Sequence, residues 1–406
     1  MKKPRVPHRT KSPRLVKELC RLAAGLAASG SRIEDPFWEN RLTTKIHSQL
    51  RSGDDQNLEA ALDQLYDTDT AAYGEFIYAI EAAIECSILS QEDRHYDVLM
   101  FAAPVLSWSR FSIPSGAVAE EVLANVRVPL QTHVLAEEAR FVLADCLFSP
   151  DQLPRGYHFT HELASRLWTA AVAGERDVHI NPGQLAETSR FLSDTRFLLG
   201  AIAVPQGKPM FRWQEAGNPS GDKGGNKLMG LEASRADILR EWQTHGAEAL
   251  RPLFQGCAFE LLIPDGFFSA WRMTDRLARS YSMHATVDFL QSTLNITPDR
   301  LRAVIAPFYD QWLEEYRVSF MLKDQDNVLY GIVWSLVGDE DESSDTVSQI
   351  ETTLRECGVE LTTLLDNRFL LEYCEECGAP LFPNPDGEVV HAEFPEEGEM
   401  VPIHLH

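Results

Sequence analysis

The stretch that most limits how this chain can fold runs from Asp97 to Leu106, D-V-L-M-F-A-A-P-V-L. It is too short to span a bilayer and too uniformly apolar for a strand with one wet face, so it reads as a strand buried on both faces. Such a strand needs neighbours along its edges and packing layers on both sides, which commits this part of the chain to an α/β body. The flanking pattern agrees. A helix over Gly116–Val126, a strand over Arg140–Phe148, a helix over Thr160–Ala173 and a strand over Phe197–Val204 follow in alternation. That order predicts a mixed or parallel sheet.

Upstream, residues 14–91 read as helices only. Leu15, Val16, Leu19, Leu22, Ala23 and Leu26 recur at helical spacing, and Ser29-Gly30-Ser31 stops that helix. Asp35-Pro36 opens the next, striped by Phe37, Leu42, Ile46 and Leu50, and Leu58–Tyr66 and Ala71–Leu89 give two more. Short links between four helices predict a bundle-like lobe.

Downstream, Ser234–Phe254 is an amphipathic helix, followed by a strand at Ala258–Pro264 and a long helix at Phe267–Leu294 with an expected break. Arg302–Phe308 reads as a short extra strand. Tyr316–Leu322 and Val328–Val337 form a hairpin across Lys323–Asn327, Thr346–Glu356 is a helix closed by Gly358, and Val359–Leu365 is the last strand. The order β-α-β-β-α-β predicts a ferredoxin-like plait. The expected fold class is therefore α+β or α/β, in five parts. These are a basic arm (1–13), a helical lobe (14–92), a first α/β lobe (93–255), a ferredoxin-like lobe (256–370) and a zinc-knuckle-like acidic tail (371–406). A chain of 406 residues is long enough for two or three cores.

The formal charge of −24 disfavours broad contact with phosphate backbones. The exception is the start: residues 1–17 hold Lys2, Lys3, Arg5, Arg9, Lys11, Arg14 and Lys17 and no acid. They read as a solvated arm or, alternatively, as an RNA-contacting one. No run approaches the roughly 20 apolar residues of a membrane span. The seven cysteines are odd in number and thinly spread, which suggests no disulfide framework and a reducing, cytoplasmic setting.

Three further segments invite chemical readings. The loop 205–230 contains K-G-G-N-K (Lys223–Lys227), but a phosphate-binding loop needs G-x-x-x-x-G-K followed by Ser or Thr, so it reads as a surface loop or binding element. D-E-D-E at Asp339–Glu342 lacks the ordered ligands and glycine of a calcium loop and reads as a solvated segment beside a helix N-terminus. Y-H-F-T-H-E at Tyr157–Glu162 lacks the H-E-x-x-H spacing, and Thr160 as a helix N-cap is its simpler account.

The tail carries the clearest metal signal. Cys374 and Cys377, with Gly378 behind them, form a C-x-x-C turn in which two thiolates can face one ion. Thirteen residues separate Cys377 from His391, within the usual range for a zinc site. His404 and His406 compete as fourth ligand, with twelve residues between His391 and His404 instead of the usual three to five. Pro380, Pro383, Pro385 and Asp386-Gly387 suggest a short ribbon hairpin. Four protein ligands would make the zinc structural, and an open position would allow catalysis.

Function follows only coarsely. The first reading is a cytosolic binding or regulatory protein with structural zinc and protein partners, and no enzyme activity. The second is a metal-dependent enzyme using Cys374, Cys377 and His391, and the third is RNA association through residues 1–17. Three stretches resemble a family of bacterial cytosolic proteins of unknown function: Y-C-E-E-C-G-A-P-L-F-P-N-P-D-G-E-V-V-H-A-E, L-A-A-G-L-A-A-S-G-S-R-I-E-D-P-F-W-E and Y-G-I-V-W-S-L-V-G. The resemblance would span nearly the whole chain and implies no activity, substrate or catalytic residue.

Overall fold

The structure is a computed structural model that describes residues 13–109, 112–188, 193–216, 227–338, 340–375 and 378–393. At its centre lies β2 (Arg94–Trp108), extending the apolar run at both ends. Alternate side chains serve different cores, as the two-residue period of a strand requires. Leu99, Phe101, Ala103 and Val105 pack in one, with α5 (Glu120–Pro129) and α8 (Lys227–Leu250). Val98, Met100 and Ala102 pack in the other, with α6 (Tyr157–Ala173) and the start of α9 (Phe267–Leu294).

Both edges of β2 are covered. Along one, β6 (Ser193–Pro205) pairs antiparallel from Tyr96↔Pro205 to Trp108↔Ser193. The other is taken in succession by β1 (Cys86–Gln91), β8 (Asp265–Gly266) and β7 (Ala258–Leu261). Pro104 sits in the gap between β8 and β7. Its carbonyl accepts from Leu262 N at 3.0 Å, and the N–H that proline cannot return is replaced by Trp242 Nε1, which donates to Leu262 O at 3.0 Å. Beyond β6 lies β4 (Arg140–Phe148), antiparallel to it and flanked by β3 (Gly116–Ala117) and β5 (Asp177–Val178). Of these pairings only β4 with β5 is parallel, so the sheet is chiefly antiparallel. Helices on both faces make strands apolar throughout whichever way they run, and hydropathy does not encode direction.

The four N-terminal helices are α1 (Pro13–Ala27), α2 (Asp35–Ser52), α3 (Gln56–Thr68) and α4 (Thr70–Glu85), packed round Leu19, Leu42, Ile46, Leu58 and Phe76. The fourth stops at Glu85 instead of reaching Leu89. Cys86–Gln91 is β1, turned onto β2 through Glu92 and Asp93, both at positive φ (49° and 62°) in a two-residue hairpin loop. Gly116 likewise belongs to β3, and the helix read from it begins at Glu120. In α6 the N-cap is Gly156, not Thr160, whose Oγ1 donates back to Gly156 O at 2.9 Å. Asp55, from the helical lobe, holds that helix start: it accepts from His158 N at 3.1 Å and contacts His158 Nδ1 at 2.9 Å. The 205–230 loop is shorter than its sequence suggests, because α7 (Arg212–Ala216) lies within it and α8 begins at Lys227. Lys223 lies outside the described residues.

The second sheet has the order β11-β10-β9-β12. Strands β9 (Leu301–Tyr309), β10 (Leu313–Leu322) and β11 (Tyr330–Ser335) form an antiparallel meander, α10 (Thr346–Glu356) follows, and β12 (Leu361–Leu364) and β13 (Phe369–Leu370) lie parallel to β9. This is not the ferredoxin-like order. The Ala258–Pro264 strand pairs with β2 in the first sheet, and the segment read as an extra, Arg302–Phe308, is the central strand of the second. The linker between the sheets is α9, which runs unbroken for 28 residues. It has no internal proline or glycine, and the expected break is absent. Phe267 and Ala270 at its start are buried in the first sheet's core, and Met283, Val287 and Leu290 in the second's. Ten α-helices and two main sheets thus make a mixed α/β fold among the described residues.

Two contacts generate predictions. Gly200 of β6 lies opposite Phe101, and a Cβ there would meet Val142 O at 2.4 Å and Phe101 Cε1 at 2.7 Å. Gly200→Ala is expected to cost about 1–3 kcal/mol, read as a lower urea midpoint with unchanged slope. At the start of α9, Glu85 Oε2 accepts from Phe268 N at 3.0 Å, tying the helical lobe to the helix that links the sheets. Burial outweighs that favourable bond and pushes the Glu85 carboxyl up to about 7. A raised acid binds its proton more tightly when folded, so its contribution to stability falls as pH rises from about 4.5 to about 7. Glu85→Gln keeps an acceptor for Phe268 N and does not titrate. Its stability relative to wild type should rise across that window, and parallel urea-midpoint profiles for the two proteins would refute this.

Candidate functional site

The tail after β13 folds back over the second sheet as a small ribbon. Cys374 N donates to Ala379 O at 2.7 Å, Gly378 N donates to Cys374 O at 2.8 Å, and Tyr373 bridges Pro380. Gly378 stands at φ +74°, the left-handed conformation that a turn of this kind favours in glycine. The chain continues into β14 (Phe382–Pro383), paired antiparallel with β15 (Val389–Val390) across the Asn384–Gly387 turn. There Asn384 Oδ1 accepts from Asp386 N and Glu388 N at 3.0 and 2.9 Å. This is the hairpin that the prolines and Asp386-Gly387 predict.

Register then determines which side chains share a face. Phe382 pairs with Val390, so His391 lies opposite Leu381, and Leu381 N donates to Glu372 O at 3.1 Å on the other side. Strand alternation puts Cys374, two residues beyond Glu372, on the same face as His391. Pro380, Phe382 and Ala392 are buried and Glu372 and His391 are exposed, while Cys374 is half-buried and its neighbour across the turn, Ala379, is buried. His391 Nδ1 lies 3.0 Å from Ala392 O, which can only accept, so Nδ1 carries the proton and Nε2 is the nitrogen suited to a metal. Cys377, His404 and His406 lie outside the described residues.

The inner face is anchored by Arg317 of β10, whose side chain is wholly buried. It pairs with Glu315 at 2.7 Å and donates to the tail carbonyls of Glu372 and Leu381 at 2.7 and 2.6 Å. It also lies over the rings of Phe308 and Tyr373, at 4.1 and 5.1 Å. Two residues on, Ser319 Oγ donates to Pro383 O at 2.6 Å. Opposite Ser319 stands Gly331, where a Cβ would come within 2.3 Å of the Phe382 ring. The glycine of Y-G-I-V-W thus leaves room for the tail's largest apolar anchor.

A second concave region lies where α9 crosses between the sheets. A cleft of about 440 Å³ is lined by Asp194, Asp275, Arg279, Tyr281, Ser282 and Ser335, among others. Burial raises the Asp194 carboxyl despite its ion pair with Arg196. It also pushes Asp275 up to about 6, against the opposing pull of Trp271 and Arg279. Arg279 is held at one edge by Glu340 (2.6 Å) and Ser335 O (3.0 Å). Glu340 of the acidic run is therefore an ion-pair partner, and Asp341 caps its own turn through Ser343 and Ser344. None of these cleft residues carries a motif in the sequence. The same is true of His133, Glu241 and His245, which the fold brings together from two distant segments.

The family described as "Protein of unknown function (DUF2863)" matches residues 4–405. The chain belongs to that family. No curated protein and no solved structure matches it. Membership extends over the helical lobe, both sheets and the tail together, and it brings no activity with it. No helix among the described residues is long and apolar enough to cross a membrane.

Removing the guanidinium of Arg317 would strand Glu315 and two tail carbonyls without their donor. Arg317→Met is expected to cost about 3–5 kcal/mol, as is usual when one partner of a buried pair is deleted. It should also expose residues 371–393 to limited proteolysis. A variant with wild-type urea midpoint and an uncut tail would show that the ribbon is held by other contacts.

Proposed function

We propose that the chain is a cytoplasmic binding or regulatory protein whose C-terminal ribbon is closed by a structural zinc ion. The observation that carries this reading is the outward face shared by Cys374 and His391 on a ribbon whose inner face is docked on β10 and β11. Cys374 and Cys377 on a glycine turn supply two thiolates. His391 supplies Nε2, and His404 or His406 is the fourth ligand. A closed four-ligand set makes the ion a staple for a segment too short to hold itself, leaving chemistry out of its role. Binding is read at the cleft beside α9, where two carboxyls with raised pKa values and several hydroxyls converge.

The zinc reading predicts at least one equivalent of zinc in the purified full-length protein by elemental mass spectrometry. Cys374→Ser should lose one equivalent and about 3–4 kcal/mol of stability at zinc concentrations far above the dissociation constant. A zinc-free wild type, or a Cys374→Ser variant of unchanged metal content, would sink it. Loss of a measurable activity with metal-free stability intact would move the site to the catalytic alternative.

A further inference from the structure

Pro129, the last residue of α5, has no N–H to give to the preceding helical turn. Directly after it the backbone widens into a π-turn over Leu130–Val134, with Leu135 N donating to Leu130 O at 2.9 Å. The π-turn packs against α8 and carries His133 to its flank. On α8, Glu241 and His245 stand four residues apart and so share one face. The rings of His133 and His245 lie parallel, their centroids 4.9 Å apart and their planes 9° from coplanar. Glu241 Oε2 is 3.9 Å from His133 Nδ1 and 3.5 Å from His245 Nε2. One ligand atom from each residue lies within 4.8 Å of the other two.

These separations are close to what a metal needs. With metal–ligand bonds of about 2.0–2.1 Å, the ligand atoms of a tetrahedral site stand about 3.4 Å apart. Glu241 and His245 are roughly half exposed, so both side chains can rotate toward a shared ion without disturbing a core. An imidazole nitrogen holds its lone pair in the plane of the ring, so one of the two parallel rings must turn out of the stack for both to face one cation. Two imidazoles and one carboxylate suit the zinc, cobalt and nickel ions, whereas calcium and magnesium favour all-oxygen shells.

We propose that His133, Glu241 and His245 form a divalent metal site of the zinc–cobalt–nickel class, tying the π-turn to α8. Three protein ligands leave a coordination position for water or for a donor atom of a bound molecule. The site contains no cysteine and is separate from the ribbon, so the two can be read independently. Full-length protein stripped of metal is titrated with Co²⁺, followed by absorption and by the number of equivalents bound. Thiolate ligation in the ribbon gives charge-transfer absorption in the near ultraviolet, and a site of imidazoles and carboxylate gives only weak visible bands.

His133→Ala and His245→Ala are each expected to lose one equivalent of cobalt and the weak bands while keeping the thiolate absorption. Each should weaken zinc binding at this site by more than about 100-fold, since even the partners behind a metal's ligands are worth 10–100-fold. Added Zn²⁺ should raise the melting temperature of Cys374→Ser, and this rise should disappear when His245→Ala is added. Metal-free His245→Ala should melt with the metal-free wild type, because its side chain is exposed. Unchanged stoichiometry in both histidine variants, or a wild type that binds cobalt through thiolates alone, would overturn the proposal and leave the ribbon reading in place. Binding in Cys374→Ser equal to wild type would reject the ribbon reading instead.

Discussion

The structure is organised by the demand that β2 be dry on both faces. Met100, Phe101 and Ala102 have no exposed surface, and each side chain of the strand is assigned to one core or the other by its parity. Burying one large apolar side chain is worth about 1.5–3 kcal/mol, so a strand with this many cannot be left on an edge or covered on one side alone. Both faces have to be roofed by helices, and both edges have to be paired. The second edge is completed by three short strands, β1 from the adjoining hairpin and β8 and β7 from a segment far along the chain. This gathering draws the end of the helical lobe and the start of α9 to the same strand.

From that junction α9 determines the rest. One unbroken helix of 28 residues is about 42 Å long, enough to give its first half to one core and its second half to another. Its start is held by Glu85, a half-buried carboxyl that accepts from Phe268 N at the expense of an unfavourable desolvation. The cleft beside α9 follows from the same geometry. Two sheets sharing one helix cannot close against each other along its whole length, and polar residues from β6, α9 and β11 line the gap.

The C-terminal ribbon shows how a weak local structure is made to stay. Two paired residues on each side of a turn would not persist alone. Arg317 and Ser319 supply donors to three of its carbonyls, and Gly331 makes the hollow for Phe382. The ribbon is thereby held in register on β10 and β11, with Cys374 and His391 away from that contact.

The sequence alone determined local matters: the helical character of residues 14–85, the two-faced burial of β2, the limits of Arg140–Phe148 and Thr346–Glu356, and the hairpin at Asp386-Gly387. Each is written in a period or a turn residue a few positions long, and the family spanning residues 4–405 is legible in the same way. Tertiary structure decided the partners. Ala258–Leu261 has strand character wherever it pairs. Only the unfilled edge of β2 made it part of the first sheet, and so removed the first strand of the expected plait. The cluster of His133, Glu241 and His245 was invisible for a related reason: its members meet through a π-turn and a helix distant in sequence, and no spacing records a contact made by packing.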